Sequence, residues 1–67
     1  MEPPIETGSD WRHRNGNVYI VLMITNQPDD ERYPKTSVYE NVENGTLWSR
    51  RYDDWHRSFV PVGDDAQ

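Results

Sequence analysis

The chain has 67 residues, no cysteine, an aromatic content of 12% and a formal net charge of −5. A chain this short forms at most one domain. A domain of this size buries only about 60% of the surface that its unfolded chain exposes, so its core is small. The lack of cysteine excludes disulfide bonds and thiolate metal sites, so packing alone holds the fold together. A few large aromatic rings are expected to fill most of its small core.

The acidic excess belongs to the ends of the chain. All 7 basic residues lie within residues 11–62, whereas five of the 12 acidic residues lie outside that segment, which leaves seven acids against seven bases inside it. We therefore predict a neutral β domain over residues 11–62, a flexible acidic tail over residues 1–10 and a flexible tail over residues 63–67. A neutral domain lacks the cluster of basic residues that is typical of nucleic-acid-binding proteins.

The first predicted hairpin is marked by Asn15-Gly16, since an Asn-Gly pair favours a two-residue turn in which both residues have positive φ. It joins a strand over residues 11–14 to a long strand over residues 17–25. Counting outward from the turn places Arg14 opposite Asn17. Alternation then predicts a core face made of Trp11, His13, Val18, Ile20, Leu22 and Ile24.

Residues 26–34 contain two prolines and three consecutive acids, which predicts a loop. A second hairpin follows, with a strand over residues 36–43, a turn at Asn44-Gly45 and a return strand over residues 46–50. Its predicted pairing sets Val42 opposite Leu47. One face carries Val38, Val42 and Leu47, and the other carries Tyr39, Asn41, Trp48 and Arg50. Both faces hold large apolar groups, so the sequence leaves open which of them is the core.

Residues 52–56 predict a single helical turn, with Asp53 or Asp54 near its start. Residues 59–62 predict a last short strand, which Pro61 places at an edge of the sheet. Together, these elements predict an all-β fold, a small SH3-like five-stranded barrel with one short helical turn before the last strand.

Two segments resemble a known group of proteins. Residues 11–22 (WRHRNGNVYIVL) are similar to the aromatic-Arg-His-x-x-Gly-x-x-Tyr-x-Val-Leu opening of a family of small bacterial and bacteriophage domains of unknown function. Residues 37–39, residues 47–50, Tyr52 and Trp55 are similar to its Val-Tyr and Leu-Trp-x-Arg-x-hydrophobic-x-x-aromatic segment. The resemblance covers roughly residues 11–62. It implies an SH3-like fold and a prokaryotic or phage source, and it implies no activity.

The sequence offers little for catalysis. His13 falls on the predicted core face, where a hydrogen-bonded structural histidine is expected. His56 lies next to Asp53 and Asp54, which together suggest at most a weak metal site, and a solvated turn is the favoured interpretation. No nucleophile and base arrangement or phosphate-binding glycine loop occurs. We therefore predict that the chain is not an enzyme and that it needs neither a metal nor another cofactor.

Aromatic and arginine residues are too numerous to fit inside so small a core, and these residue types are enriched at the centres of protein interfaces. The predicted binding surface consists of Tyr33, Tyr39, Trp48, Arg50 and Trp55. In the competing interpretation the rings cap the barrel, and the arginines stack on them or pair with Asp53 and Asp54.

The sequence thus favours a non-catalytic protein-binding module, such as a phage-encoded modulator of a host protein, whose partner and oligomeric state it does not identify. The alternative is a single-stranded nucleic-acid binder that stacks bases on the same rings. A metal-dependent enzyme built on His56 and Asp53 is the third hypothesis. The start of the chain has neither a basic region nor an apolar run, which predicts a cytoplasmic protein without a membrane partner, in a prokaryotic or phage-infected cell.

Overall fold

In the computed structural model, which describes residues 2–64, five antiparallel strands form one sheet. The strands are β1 (Asp10–His13), β2 (Val18–Thr25), β3 (Thr36–Asn41), β4 (Leu47–Arg51) and β5 (Phe59–Pro61). Single 3-10 turns cover Tyr52–Asp54 and Val62–Asp64. The order across the sheet is β4-β3-β2-β1-β5. The prediction of an all-β fold is confirmed, and so is the prediction of a short helical turn before the last strand.

The sheet does not close into the predicted barrel. β4 and β5 are its two edges, and no ladder joins them within residues 2–64. Residues 52–58, which link the two edges, cross the core face of the sheet instead, since Trp55 from this link contacts Trp11 of β1, Tyr39 of β3 and Phe59 of β5. The open side of the sheet is therefore covered by side chains and not by strand pairing.

The core is mostly aromatic. Trp55 is fully buried and stacks on Phe59, with 3.9 Å between ring centroids and 10° between ring planes. The other ring pairs meet edge to face, as Trp11 and Trp55 do at 5.6 Å. Each such pair contributes about 0.5 to 1.5 kcal/mol beyond the area it buries. The buried apolar residues are Ile5, Trp11, Tyr19, Val21, Tyr39, Trp55 and Phe59.

The first hairpin differs from the prediction in the length of its loop. Gly16 has a φ of 95°, but Asn15 does not have positive φ, so the pair does not form the expected two-residue turn. The N–H of Gly16 donates to the C=O of His13, and the N–H of His13 donates to the C=O of Asn17. These bonds are those of a three-residue loop with glycine in the left-handed bulge position.

This longer loop shifts the pairing of β1 and β2 by one residue. Trp11 lies opposite Tyr19, where Ile20 was expected. A shift by one residue exchanges the two faces of a strand. Tyr19 and Val21 therefore enter the core, and the predicted core positions of Val18, Ile20 and Leu22 are wrong, since these three side chains are only half-buried.

A bulge in β2 changes the alternation again. The ladder between β2 and β3 shifts between Val21 and Met23, so Leu22 is an extra residue without an opposite partner. Beyond it the residues exchange faces: Met23 is 51% exposed, while Ile24 packs against the core. Ile24 was predicted in the core, and it reaches that side only because of the bulge.

The second hairpin is shifted by two residues relative to the prediction, because its loop has four residues, 42–45. Tyr39 lies opposite Trp48, so the expected pairings of Tyr39 with Arg50 and of Val42 with Leu47 are wrong. A shift by two residues keeps each side chain on its predicted face. The core face of β3 carries Ser37, Tyr39 and Asn41, all buried, which settles the question that the sequence left open.

The segment before β1 is part of the folded unit. Ile5 is 5% exposed and belongs to the core. Gly8 N–H donates to Val21 C=O, and Val21 N–H donates to Ser9 C=O, which continues the β1 ladder. The stretch 1–10, expected to be a flexible tail, therefore contributes a core side chain. Of the expected C-terminal tail over residues 63–67, residues 65–67 lie outside the described part of the chain.

Replacement of Ile5 by alanine tests this role. We expect the variant to lose about 2 kcal/mol or more of unfolding free energy, because it leaves a cavity in the small core, which has seven buried apolar side chains within residues 2–64. Val42→Ala is the control, since Val42 is 54% exposed and its truncation should change stability by less than about 0.5 kcal/mol. Urea unfolding measures both values. Equal stability of the two variants would contradict the packing of Ile5.

Ser37→Ala should act in the opposite direction. Ser37 is fully buried, and its hydroxyl has no hydrogen-bond partner within residues 2–64. An unsatisfied buried hydroxyl costs free energy that alanine does not, so we expect a gain in stability of about 1 kcal/mol. Ser49→Ala, at an exposed position of β4, is the matched control and should be neutral. A destabilised Ser37→Ala variant would show that the hydroxyl is bonded in solution.

Candidate functional site

The five residues of the predicted binding surface do not lie together on the surface. Trp55 and Tyr39 are buried in the core, with 0% and 5% exposure, so neither can contact a partner unless the core opens. Trp48 and Tyr33 are exposed, at 51% and 66%. Trp48 and Arg50 share one face of β4, whereas Tyr33 lies in the loop before β3.

Arg50 covers the aromatic core. Its guanidinium lies 5.0 Å from the centroid of the Phe59 ring. Its Nε donates to the hydroxyl of Tyr39 at 3.3 Å, and its Nη1 donates to the C=O of Asp54 at 3.2 Å. The Arg50 side chain is 20% exposed to solvent. This residue therefore follows the competing interpretation of the sequence, in which an arginine stacks on the rings.

Trp48 is an exposed ring with a fixed orientation. Its indole Nε1 donates to the hydroxyl of Thr46 at 2.8 Å, and that hydroxyl donates to Oδ1 of Asn44 at 2.7 Å. The same Asn44 oxygen accepts the N–H of Thr46. A side chain held in place before binding loses less conformational entropy when a partner covers it.

The strand that carries Trp48 is an edge strand of the sheet. Within residues 2–64, β4 forms a ladder with β3 alone. The residues of β4 that bond to β3 are those in phase with Thr46, whose C=O accepts the N–H of Asn41. Antiparallel pairing alternates, so the N–H and C=O groups of Leu47, Ser49 and Arg51 point away from β3. We call this row of backbone groups, together with the exposed Leu47 and Trp48 side chains, the β4 edge. The other edge strand, β5, has three residues and includes Pro61.

Asp53 and Asp54, the two acidic residues that follow β4, each form hydrogen bonds with an arginine. Arg51 donates to both carboxylate oxygens of Asp53, and Arg57 donates to both oxygens of Asp54. These hydrogen bonds lower the pKa of each carboxyl group. His56 does not join them: its Nε2 lies 2.7 Å from the C=O of Pro3. In the part of the chain that the structure describes, no three His, Asp or Glu side chains are arranged to hold a metal ion.

A second site was missed by sequence reasoning. A cleft of about 310 Å³ lies between the first hairpin turn, β5 and the residues just before β5. We call it the basic cleft. Its charged and titratable lining consists of Arg12, His13, Arg14, His56 and Arg57. The sequence contains an Arg-His-Arg run at residues 12–14, next to the first turn, and a His-Arg pair at residues 56–57. These segments are far apart in the sequence, and the pairing of β1 with β5 brings them together.

His13 lies in the wall of the basic cleft. Its ring meets the Phe59 ring edge to face at 4.9 Å, and its Nδ1 accepts the N–H of Asn15 at 3.0 Å. Burial lowers the pKa of His13, and the positive charges of Arg50 and Arg14 lower it further. The folded protein therefore favours the neutral imidazole.

Comparisons with known proteins give no relative for this chain. No family model matches it, and no curated protein and no solved structure matches it. Within residues 2–64 no helix is long and apolar enough to cross a membrane. The geometry of the β4 edge and of the basic cleft is therefore the basis for any functional assignment.

The lowered pKa of His13 predicts a pH dependence of stability. The unfolded chain binds a proton at His13 more readily than the folded chain. The stabilisation of the fold by neutral His13 is therefore fully present above the unfolded pKa of 6.5, and it is lost as the pH falls through the lower pKa of the folded state. We expect the melting temperature of the wild type to fall more between pH 7.5 and pH 5.5 than that of His13→Gln. His56 is present in both proteins, so the difference reports His13. Parallel profiles would contradict the prediction.

Proposed function

We propose that this chain is a non-catalytic protein-binding module that engages its partner through the β4 edge. The observation that carries the proposal is the half-exposed, hydrogen-bonded Trp48 ring on an edge strand whose outer backbone groups have no partner strand within residues 2–64. Exposed strand edges accept an extended segment of another protein by main-chain hydrogen bonding, and neighbouring side chains provide specificity. Tryptophan is one of the residue types that are enriched at interface hot spots.

The contact groups of this proposal are Trp48 and Leu47, which are both exposed, with Tyr33 as a further candidate. Arg50 contributes its remaining exposed surface next to Trp48. The partner class that we propose is a bacterial protein, since residues 11–62 resemble a family of small bacterial and bacteriophage domains. A partner strand would cover Leu47 and continue the sheet beyond β4.

We further propose that the fold is of the SH3-like class. Five antiparallel strands in a meander, with the last strand returning beside the first and a 3-10 turn just before it, support this assignment. In place of barrel closure, the β4–β5 link covers the aromatic core on one face of the open sheet.

Binding of single-stranded nucleic acid by the same rings is disfavoured by the charges around Trp48. Arg50 is engaged with Tyr39 and Asp54, and Arg51 forms a two-bond pair with Asp53. Neither guanidinium is available to phosphates without breaking these bonds. Base stacking on the rings without contacts to phosphates lacks the main source of affinity for single-stranded nucleic acid.

Affinity capture from a bacterial lysate tests the proposal with two matched pairs of variants. Trp48→Ala is compared with Met23→Ala, because both native side chains are 51% exposed. Ser49→Pro removes an outward N–H from the β4 edge, and Ser49→Ala keeps it. Proteins captured by the wild type and by both controls should be lost with Trp48→Ala and with Ser49→Pro, provided that thermal melting shows all four variants to be folded.

Capture of the same proteins by all four variants would reject the β4 edge as the binding surface. Oligonucleotide binding that quenches tryptophan fluorescence and weakens as salt rises would instead favour the nucleic-acid alternative.

A further inference from the structure

The β4 edge is regular along its whole length. The register of β4 with β3 is unbroken from Leu47 to Arg51, and this segment contains no proline. Prolines and bulges are two features by which proteins keep an edge strand from pairing with another chain. The other edge strand, β5, has such a feature in Pro61. The backbone of β4 therefore offers a regular template to a further strand.

A second copy of β4 matches this edge when the two strands run antiparallel about a two-fold axis at Ser49. Ser49 is the middle residue of the strand, so it lies opposite Ser49 of the second copy, and Leu47 lies opposite Arg51 of the second copy. These residues carry the outward backbone groups, so each exchanges both its N–H and its C=O with the residue opposite. A slide by two residues in either direction leaves part of these groups without a partner.

The side chains of the two strands also match in this register. Trp48 lies opposite Arg50 of the second copy in a non-hydrogen-bonded pair, where the Cα atoms are only about 4.5 Å apart. Arginine stacks on aromatic rings through the flat face of its guanidinium group. Stacking does not use the N–H donors, so Arg50 keeps its hydrogen bonds to Tyr39 and Asp54. The pairing therefore covers the exposed Trp48 ring and breaks no contact of the single copy.

The charges of β4 favour the same register. With Ser49 at the axis, Arg50 faces Trp48 and Arg51 faces Leu47, so no arginine lies opposite another arginine. A slide that sets Arg50 opposite Arg50 of the second copy would place like charges in direct contact, which destabilises a sheet. The charge of Arg51 is also balanced within its own copy by two hydrogen bonds to Asp53.

We propose that the chain forms a homodimer by antiparallel pairing of two β4 edges about a two-fold axis at Ser49. The two five-stranded sheets then join into one continuous sheet. Such an interface is isologous, because the same surface of both copies takes part. The dimer uses the edge to which the proposed function assigns partner binding, and its regulatory role rests on that function: while two copies pair, this edge is hidden from another protein.

Sedimentation equilibrium of the full chain over a wide range of concentrations tests the dimer. Ser49→Pro removes the N–H at the axis from both copies, so we expect its dissociation constant to rise by about tenfold or more, while Ser49→Ala dimerises like the wild type. Trp48→Ala should weaken the dimer by about tenfold as well, and Met23→Ala, which truncates a side chain of equal exposure, should not.

Thermal melting shows whether each variant is folded before its dissociation constant is compared. A wild type that is monomeric at every concentration would overturn the dimer. Equal dissociation constants of the wild type and of all folded variants would overturn it too.

Nuclear magnetic resonance on a mixture of isotope-labelled and unlabelled wild-type chains tests the register without any substitution. We expect an intermolecular nuclear Overhauser contact between Hα of Trp48 and Hα of Arg50, because a non-hydrogen-bonded antiparallel pair brings these two atoms close together. A dimer that lacks this contact pairs through another surface or in another register, and it would contradict the proposal.

The dimer and the proposed function can fail separately. A monomeric wild type whose captured proteins are lost with Ser49→Pro would reject the dimer alone. A dimer with the contact between Trp48 and Arg50, whose β4 variants capture the same proteins as the wild type, would reject the proposed function alone.

Discussion

The burial of Trp55 against the sheet is the interaction on which the rest of the structure depends. A single sheet of short strands has one face to bury, and residues 2–64 contain no α-helix and no second sheet that could cover it. The fully buried Trp55 ring, delivered by the link between β4 and β5, takes that role by stacking on Phe59 and meeting Trp11 and Tyr39 edge to face. Arg50 then covers the rim of the aromatic cluster. The same arrangement explains why the strands do not need to close into a barrel.

Sequence patterns predicted the elements well and their registers poorly, for a specific physical reason. The two Asn-Gly pairs correctly marked both hairpins and the order of the strands along the chain. Loop length decides register, however, and Asn15-Gly16 belongs to a three-residue loop in which only the glycine has positive φ. A further bulge at Leu22 reverses the alternation within one strand. Neither feature leaves a signal in hydrophobic periodicity, because β2 is apolar at almost every position.

The candidate sites illustrate the same limit. An exposed Trp48 was predictable as an interface residue, whereas the burial of Tyr39 and Trp55 depends on which face of β3 packs inward. The basic cleft brings together residues about 45 positions apart, and only the pairing of β1 with β5 reveals it. β4 and β5 lie at opposite edges of the sheet, so the β4 edge and the basic cleft are separate surfaces.

The pairing of the first strand with the last also has a consequence for how the chain folds. His13 is paired with Phe59, and Trp11 is paired with Pro61, so the sheet is completed only by contacts between residues far apart in the sequence. Such contacts require closure of a long loop before they stabilise the fold, and pairing between distant residues generally slows folding. During synthesis, the rings of Trp11, Tyr19 and Tyr39 have no Trp55 or Phe59 to pack on until residue 59 leaves the ribosome. In a nascent chain shorter than that, these aromatic rings lack the packing partners that bury them in the folded protein.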